Sequence, residues 1–447
     1  MATWLKKWEP ENTEFWENEG KKMAWKVLTV TTLSLILSFG TWFMMSAIVT
    51  KLPGIGFTFD KNQLFWLAAM PGLAAGLLRM VHTFLLPIYG SRHVISIATI
   101  IKIIPAVGIG LAVMNTTTPF WVFMVLSFTA GFGGGDFSSF MPSTSLFFPK
   151  RLQGTALGIQ AGIGNFGVSV AQFMTPAMLG VATFGAAEVF VKTDPKTKEI
   201  LGSSEIYLQS AAFWYVPLLV ILAIATWLII RSVPVKASFK EQLDIFKDKH
   251  TWFCTVTYVM TFGGFSGLAA IFPLLIKIIY GDFPNAPDPL KYAFLGPLIG
   301  AGSRVLFGFI ADKTGGAILT TITGSGLITG CIVLVQMGLL TPDSVDQFPA
   351  FLMVMLALFF ITGMGNAATF RQYPIVFGHN PRQAAGVIGF TAAVAAFGPF
   401  IFAMSVSAVI SSTGNANAFF YGIAAFFVFA TSVNWWYYNR KGCERPS

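Results

Sequence analysis

The chain has 447 residues, 54% of them hydrophobic and only 11% charged, with a formal net charge of +9. Soluble domains carry about 25% charged residues, so this composition excludes a soluble enzyme. With a mean hydropathy of +0.67 it indicates an all-α membrane protein. The positive balance then reads as basic loops on one side of a lipid bilayer, and no nucleic-acid partner is expected.

Residues 1–26 are polar and mixed in charge, without the apolar core and small-residue cleavage site of a signal peptide. They read as a cytoplasmic lead holding a short amphipathic helix, with Trp8, Phe15 and Trp16 at the headgroups. Apolar runs long enough to cross about 30 Å of hydrocarbon follow in order. They fall at 27–49, 64–86, 94–114, 119–142, 156–181 and 211–230, then at 251–279, 291–312, 317–340, 348–371, 384–410 and 417–438. The basic loop 231–250 separates a first six-helix half, 27–230, from a second, 251–438, and 439–447 forms a tail. Three cysteines without motif spacing suggest neither a disulfide framework nor a metal site, and no cofactor is expected.

Lysine and arginine set the orientation. With both termini inside, the inner segments hold 18 of them and the outer loops 5. The expected location is therefore the cell inner membrane with both termini cytoplasmic.

The halves echo each other. Gly131/Gly363, Gly133/Gly365 and Pro142/Pro374 are each 232 apart, in the fourth and tenth spans. Arg151/Arg382, Gly158/Gly389 and Gly167/Gly398 are 231 apart, at the fifth and eleventh. Arg79/Arg304 and Gly90/Gly315 are 225 apart, at the second and eighth. One glycine match means little, but three helix pairs in the same order imply a repeat. Parallel repeats holding substrate between them near the midplane describe a major facilitator architecture.

Arg79 and Arg304 lie near the middle of their spans. A guanidinium there costs at least about 2.5 kcal/mol and stays protonated. One per half, they read as a fixed positive site for an anion; two structural arginines paired with carbonyls or carboxylates are the plainer alternative. GTALGIQAGIGNFG at 154–167 is the densest glycine stretch, and Gly162 and Gly164 give its helix a small face. Asn165 within it carries an amide that needs partners when buried, and it reads as a substrate contact. Phe137, Tyr258 and Phe262 are candidate apolar walls. His82, three residues after Arg79, shares its face and could carry protons. Lys102 and Asp136 are further intramembrane charges, expected to neutralise each other or, through Asp136, to take part in coupling. Arg371 is expected to snorkel. GFIADKTGG at 308–316 resembles the facilitator superfamily's loop motif, with Gly308, Asp312 and Gly315 in its places, and Asp312 would cap or pair with a helix end.

Longer stretches resemble one family. WEPENTEFWENEG at 8–20, LPGIGFTFDKNQLFWLAAMPGLAAGLLR at 52–79, FFPKRLQGTALGIQAGIGNFG at 147–167 and YAFLGPLIGAGSR at 292–304 are similar to the NarK-like branch of the nitrate/nitrite porter family. The resemblance implies twelve transmembrane helices in the major facilitator fold. It also implies that Arg79 and Arg304 clamp nitrate or nitrite, with Asn165, Phe137, Tyr258 and Phe262 around the anion. The second glycine signature, at 384–400, departs by carrying alanines where the first has Gly162, Gly164 and Asn165. His82, Lys102 and Asp136 are ionisable residues that the resemblance to the exchanger type does not lead one to expect at these places.

The function expected is nitrate/nitrite exchange by alternating access, by a protein working as a monomer. Nitrate/proton symport through Asp136 or His82 is the alternative, and a non-transporting anion receptor a remote one. No nucleophile–base pair suggests an enzyme.

Overall fold

The computed structural model describes residues 4–193, 199–234 and 240–447. Ten helical spans are long and apolar enough to cross a membrane. They are α1 (Thr13–Ile48), α2 (Lys61–Thr83), α3 (Ile88–Val113), α4 (Phe120–Phe147), α6 (Ser210–Ile229), α7 (Lys249–Tyr280), α9 (Gly316–Gln336), α10 (Val345–Val376), α11 (Gly386–Thr413) and α12 (Asn417–Asn439). With α5 (Lys150–Met178) and α8 (Leu295–Thr314), of 29 and 20 residues, the described chain has twelve long helices.

Position follows burial. In the apolar window of α7, 94% of residues are buried, and in that of α1 83%, against 28% for α6 and 33% for α12. The central helices are therefore α1 and α7, one per half, while α6 and α12 turn apolar faces such as Ile221, Ile224, Val428 and Phe429 outward. Without lipid-facing hydrophobics of this kind a twelve-helix bundle would not be stable in hydrocarbon.

The repeat expected from residue spacing is present in the packing. In the first half α1 packs on α5 and α2 on α4; in the second α7 packs on α11 and α8 on α10. The halves meet through α2 with α11 and α5 with α8, which are equivalent pairs under the same repeat. Even the turns correspond. Gly90 and Gly315 have φ of +79° and +90°, a region that L side chains avoid, and each allows a sharp bend, Gly90 near the start of α3 and Gly315 between α8 and α9.

The N-terminal aromatics depart from the headgroup placement expected. Trp8 Nε1 donates to the Leu146 carbonyl at 3.1 Å, and its ring meets Phe147 edge-on. Trp16 is buried against Phe148. Phe147, which ends α4, and Phe148 just beyond it offer enough apolar surface to draw both indoles inward. The helical lead also begins within the polar segment, and α7 begins inside the basic loop 231–250. At the other end of the chain, Arg445 pairs with Asp248 at 2.8 Å and Glu444 with Lys249 at 2.8 Å. Ala317 donates its backbone N–H to the Ser447 carbonyl.

Between α5 and α6 lie two short antiparallel strands, β1 (Glu188–Thr193) and β2 (Ile200–Ile206). They lie on the face opposite the termini, because five crossings separate them from the N-terminus. Phe190 covers Gly54, where no side chain would fit.

That far face is sealed by contacts between the halves. Lys51 pairs with Asp288 at 3.3 Å, and Lys277 Nζ donates to the Thr50 carbonyl. Ser407 donates to Asn62 at 2.8 Å, Ser169 to the Phe294 carbonyl at 2.9 Å and Gln172 to the Ala269 carbonyl at 2.9 Å. Away from that face, Arg79 in the first half donates to the Ala392 carbonyl in the second at 2.8 Å.

Candidate functional site

Arg79 and Arg304 both end in the interior between the halves, and both are buried. The guanidinium of Arg79 lies 4.8 Å from the ring centroid of Phe137, 5.2 Å from that of Phe262 and 5.3 Å from that of Trp42. That of Arg304 lies 4.7 Å from the Phe370 ring. These rings close on one another. Phe137 and Phe370 are 6.4 Å apart, Tyr258 meets Phe370 edge-on at 5.5 Å, and Tyr258 stacks on Phe262 at 5.4 Å. Two guanidinium groups from different halves thus share one aromatic cage. Ring faces attract cations and, being apolar, hold bulk water away from the charges.

Local backbone irregularity builds this cage. A π turn spans Val259–Gly263 in α7, so Tyr258 and Phe262 stack at nearly parallel planes; such bulges are frequent at functional sites. In α4 the helix is interrupted at Gly131 and again at Asp136, within the glycine run. The Gly134 carbonyl there accepts from Arg79 Nε at 2.7 Å.

The polar inventory of the interior is incomplete. Arg79 Nη2, both terminal nitrogens of Arg304, the Tyr258 hydroxyl and both amide atoms of Asn165 are buried without a hydrogen-bond partner. Unpaired buried polar groups are uncommon and costly, so a collection of N–H and O–H donors left open marks a place for a polar ligand. Most of these groups donate, and two carry fixed positive charge. The set suits a small planar oxyanion, which a guanidinium fork can meet with two parallel hydrogen bonds.

The other predicted residues have distinct places. Gly164 faces Leu35 on α1, where a Cβ would approach a side-chain carbon to 2.6 Å, and Gly162 faces Val305 on α8 at 2.9 Å. Both glycines therefore serve close helix packing. Lys102 and Asp136 form a fully buried ion pair. Ser38 also donates to the Asp136 carboxylate at 2.6 Å, and Lys102 to the Ala98 carbonyl at 2.7 Å. His82 Nδ1 lies 2.9 Å from the Ser139 hydroxyl, which itself donates to the Asp136 carbonyl at 3.1 Å. Gly308 has open space at its Cβ position, and Gly315 ends α8. The side chain of Asp312 lies outside the described residues.

Three contributors, Phe370, Trp42 and the Ala392 carbonyl, are not singled out by sequence, nor is the buried amide of Asn366. Phe370 and Asn366 sit in TGMGNAATFRQYP, the stretch that the repeat aligns with the fourth span. Both amide atoms of Asn366 are buried and unpartnered, and asking which polar residues of that stretch lacked a role would have found it. Trp42 carries no signal among 12 Trp and 45 Phe. The Ala392 carbonyl is backbone and carries none at all.

Comparison with known proteins bears on the same arrangement. The profile of the Major Facilitator Superfamily matches residues 30–400. The chain is 52% identical over 445 residues to the probable nitrate/nitrite antiporter NarK2 of Thermus thermophilus, covering 100% of this chain and 98% of that one. It is 35% identical over 458 residues to the nitrate/nitrite transporter NarU of Escherichia coli K12, covering 98% and 96%. Among solved structures, the partially occluded inward-open xylose transporter XylE from E. coli superposes with a TM-score of 0.66 at 14% identity, over 93% of this chain and 97% of that one. A bacterial homologue of the lysosomal transporter Spinster gives 0.62 at 15% identity, over 92% and 95%. The twelve-helix repeat and full-length similarity together make this chain a member of the major facilitator superfamily, within its NarK-like nitrate/nitrite porter family.

Proposed function

We propose that this protein carries nitrate and nitrite across the cell inner membrane, exchanging one for the other by alternating access, with both termini in the cytoplasm. One observation carries the reading: three guanidinium nitrogens from opposite halves are buried, unpartnered and enclosed by aromatic rings. Arg79 and Arg304 hold the anion, Asn165 and Tyr258 add donors, and Phe137 and Phe262 wall it. The names of the relatives agree with this substrate class. The ties on the far face close the path to the site from that side. Exchange follows from the site itself: an arginine cannot shed its proton, so an empty carrier must reorient with uncompensated charge.

Proton symport is the second reading, supported by the chain from His82 through Ser139 to the backbone of Asp136. Proteoliposomes separate the two. Under exchange, nitrite loaded inside accelerates nitrate uptake and a pH gradient alone drives little. Accumulation driven by an inward proton gradient without internal anion, and abolished in His82→Gln, would replace exchange with symport. Absence of nitrate uptake in every arm would remove the substrate assignment.

A further inference from the structure

The two arginines are not equivalent. Arg79 has two of its donors engaged, Nε by the Gly134 carbonyl at 2.7 Å and Nη1 by the Ala392 carbonyl at 2.8 Å, and only Nη2 is open. Arg304 has both terminal nitrogens open.

The reason lies in a broken helix. The first segment of α11 ends at Ala395 and the second begins at Gly398. The carbonyl end of the first segment carries the negative pole of its helix dipole, where a cation is stabilised. The Ala396 amide reaches the Ala392 carbonyl at 3.2 Å, leaving its second lone pair for Arg79. The break is held in place by packing, since a Cβ at Gly398 would come within 2.4 Å of the Gly263 carbonyl, beside the π turn of α7. Arg79 belongs to the first half and Ala392 to the second. Their hydrogen bond is thus a tie between halves, set apart from the cluster of ties on the far face.

We infer that the Ala392 carbonyl is the internal acceptor that occupies Arg79 while the site is empty. Arg304 is then the anion's first, two-pronged holder, and Arg79 is the positioning residue that passes occupancy to α11. A planar oxyanion meets two parallel donors on Arg304 without disturbing any existing bond. Arg79 can present a second prong only by releasing Ala392. It then exchanges one acceptor for another and stays satisfied in both states, while the tie between halves is cut as the anion arrives. This inference rests on the anion binding proposed above.

The test measures nitrate binding at equilibrium on purified wild-type, Arg79→Lys and Arg304→Lys protein. It is combined with the distance between spin labels at Thr155→Cys on α5 and Lys313→Cys on α8, both exposed near the terminus-side ends of opposite halves, in a Cys443→Ser background. Loss of a charge-assisted hydrogen bond weakens binding about 10- to 150-fold. Arg304→Lys is expected to fall in that range. Arg79→Lys should lose less than about tenfold in affinity, and its label distance should no longer respond to nitrate. Equal weakening in both variants, or a wild-type distance response in Arg79→Lys, overturns the inference. Wild-type protein that binds no nitrate overturns the proposed function and the inference together. Should either variant fail to fold, hydrogen exchange on the wild type decides: nitrate must change the exchange of the 392–398 segment, and identical traces with and without nitrate refute it.

Discussion

Lys102 and Asp136 offer the cleanest energetic test of the first half. Their side chains are 0% and 2% exposed, and they join α3 to α4 while Ser38 ties the same carboxylate to α1. Replacing Lys102 by Met leaves a buried carboxylate with one hydroxyl donor. Replacing Asp136 by Asn leaves a buried ammonium with the Ala98 carbonyl. Breaking a buried pair at one partner costs about 3–5 kcal/mol, because a charge remains uncompensated. Removing both charges leaves no such charge, and well-packed neutral replacements of buried pairs are commonly near neutral. The double variant should therefore recover more than half of the loss seen in either single one. Apparent melting midpoints in detergent, followed by size-exclusion chromatography, measure the order. Losses that simply add in the double variant would show no coupling between the two sites and would refute the reasoning.

Other consequences are as specific. Gly167→Ala should destabilise by about 1–3 kcal/mol, since its Cβ would come within 2.2 Å of the Ile36 carbonyl, whereas Gly158→Ala on the same helix meets nothing within 4 Å and should be silent; thermal midpoints of both variants check this. The Lys51–Asp288 pair is partly exposed, so Lys51→Ala should change stability by less than about 1 kcal/mol yet raise the accessibility of a cysteine placed at Asn62 to a membrane-impermeant reagent. Unchanged labelling would deny the pair a part in sealing the far face. Hydrogen bonds from Lys249 and His250 hold the Glu444 carboxyl at about 2, below its ordinary 4.5. For Asp248, burial pushes the carboxyl up, but the His250 amide and Arg445 outweigh it and hold it below the usual range. A depressed carboxylate stabilises the docked tail above its unfolded pKa, and that contribution is lost as pH falls through the folded value. Proteolysis or hydrogen exchange of residues 440–447 should therefore show a docked tail at pH 5 and a progressively released one between about pH 4.5 and 2; release beginning above pH 5 would contradict it.

The fold was legible because hydrophobic runs, lysine and arginine asymmetry and paired glycines all report the same repeat. Arg79 and Arg304 stood out because charge inside hydrocarbon is expensive, and the structure brings both to one cage. Phe137, Tyr258 and Phe262 are harder to separate from ordinary packing, since an aromatic at a site looks like any other in a chain with 45 Phe. Trp8 and Trp16 were misplaced because an amphipathic pattern says which face is apolar, and not whether lipid or α4 covers it. The breaks in α4 and α11 were illegible for a deeper reason. A run such as AAVAAFGPF permits a continuous helix or a broken one, and the choice is made by the close approach of Gly398 to Gly263, a contact between distant segments.

That break changes how the demand for exchange is shared between the two arginines. Each buried donor left unsatisfied costs about 1–3 kcal/mol, and more when it is charged. Arg79 carries one such donor and Arg304 carries two. Carbonyls at the breaks of α4 and α11 already answer most of Arg79, so its presence alone does not forbid movement of an empty carrier. At its terminal nitrogens Arg304 has no carbonyl to play that part, only the Tyr258 hydroxyl near by. Passing through a closed state without an anion would add about 2–6 kcal/mol from those two donors, slowing reorientation by about 30-fold to 10⁴-fold. In the proposed exchanger, the factor by which internal nitrite accelerates nitrate entry reads this penalty directly. An acceleration well below about 30-fold would mean that water or a lipid headgroup solvates Arg304 during the transition, and the obligation to exchange would then have to come from somewhere other than the buried charge.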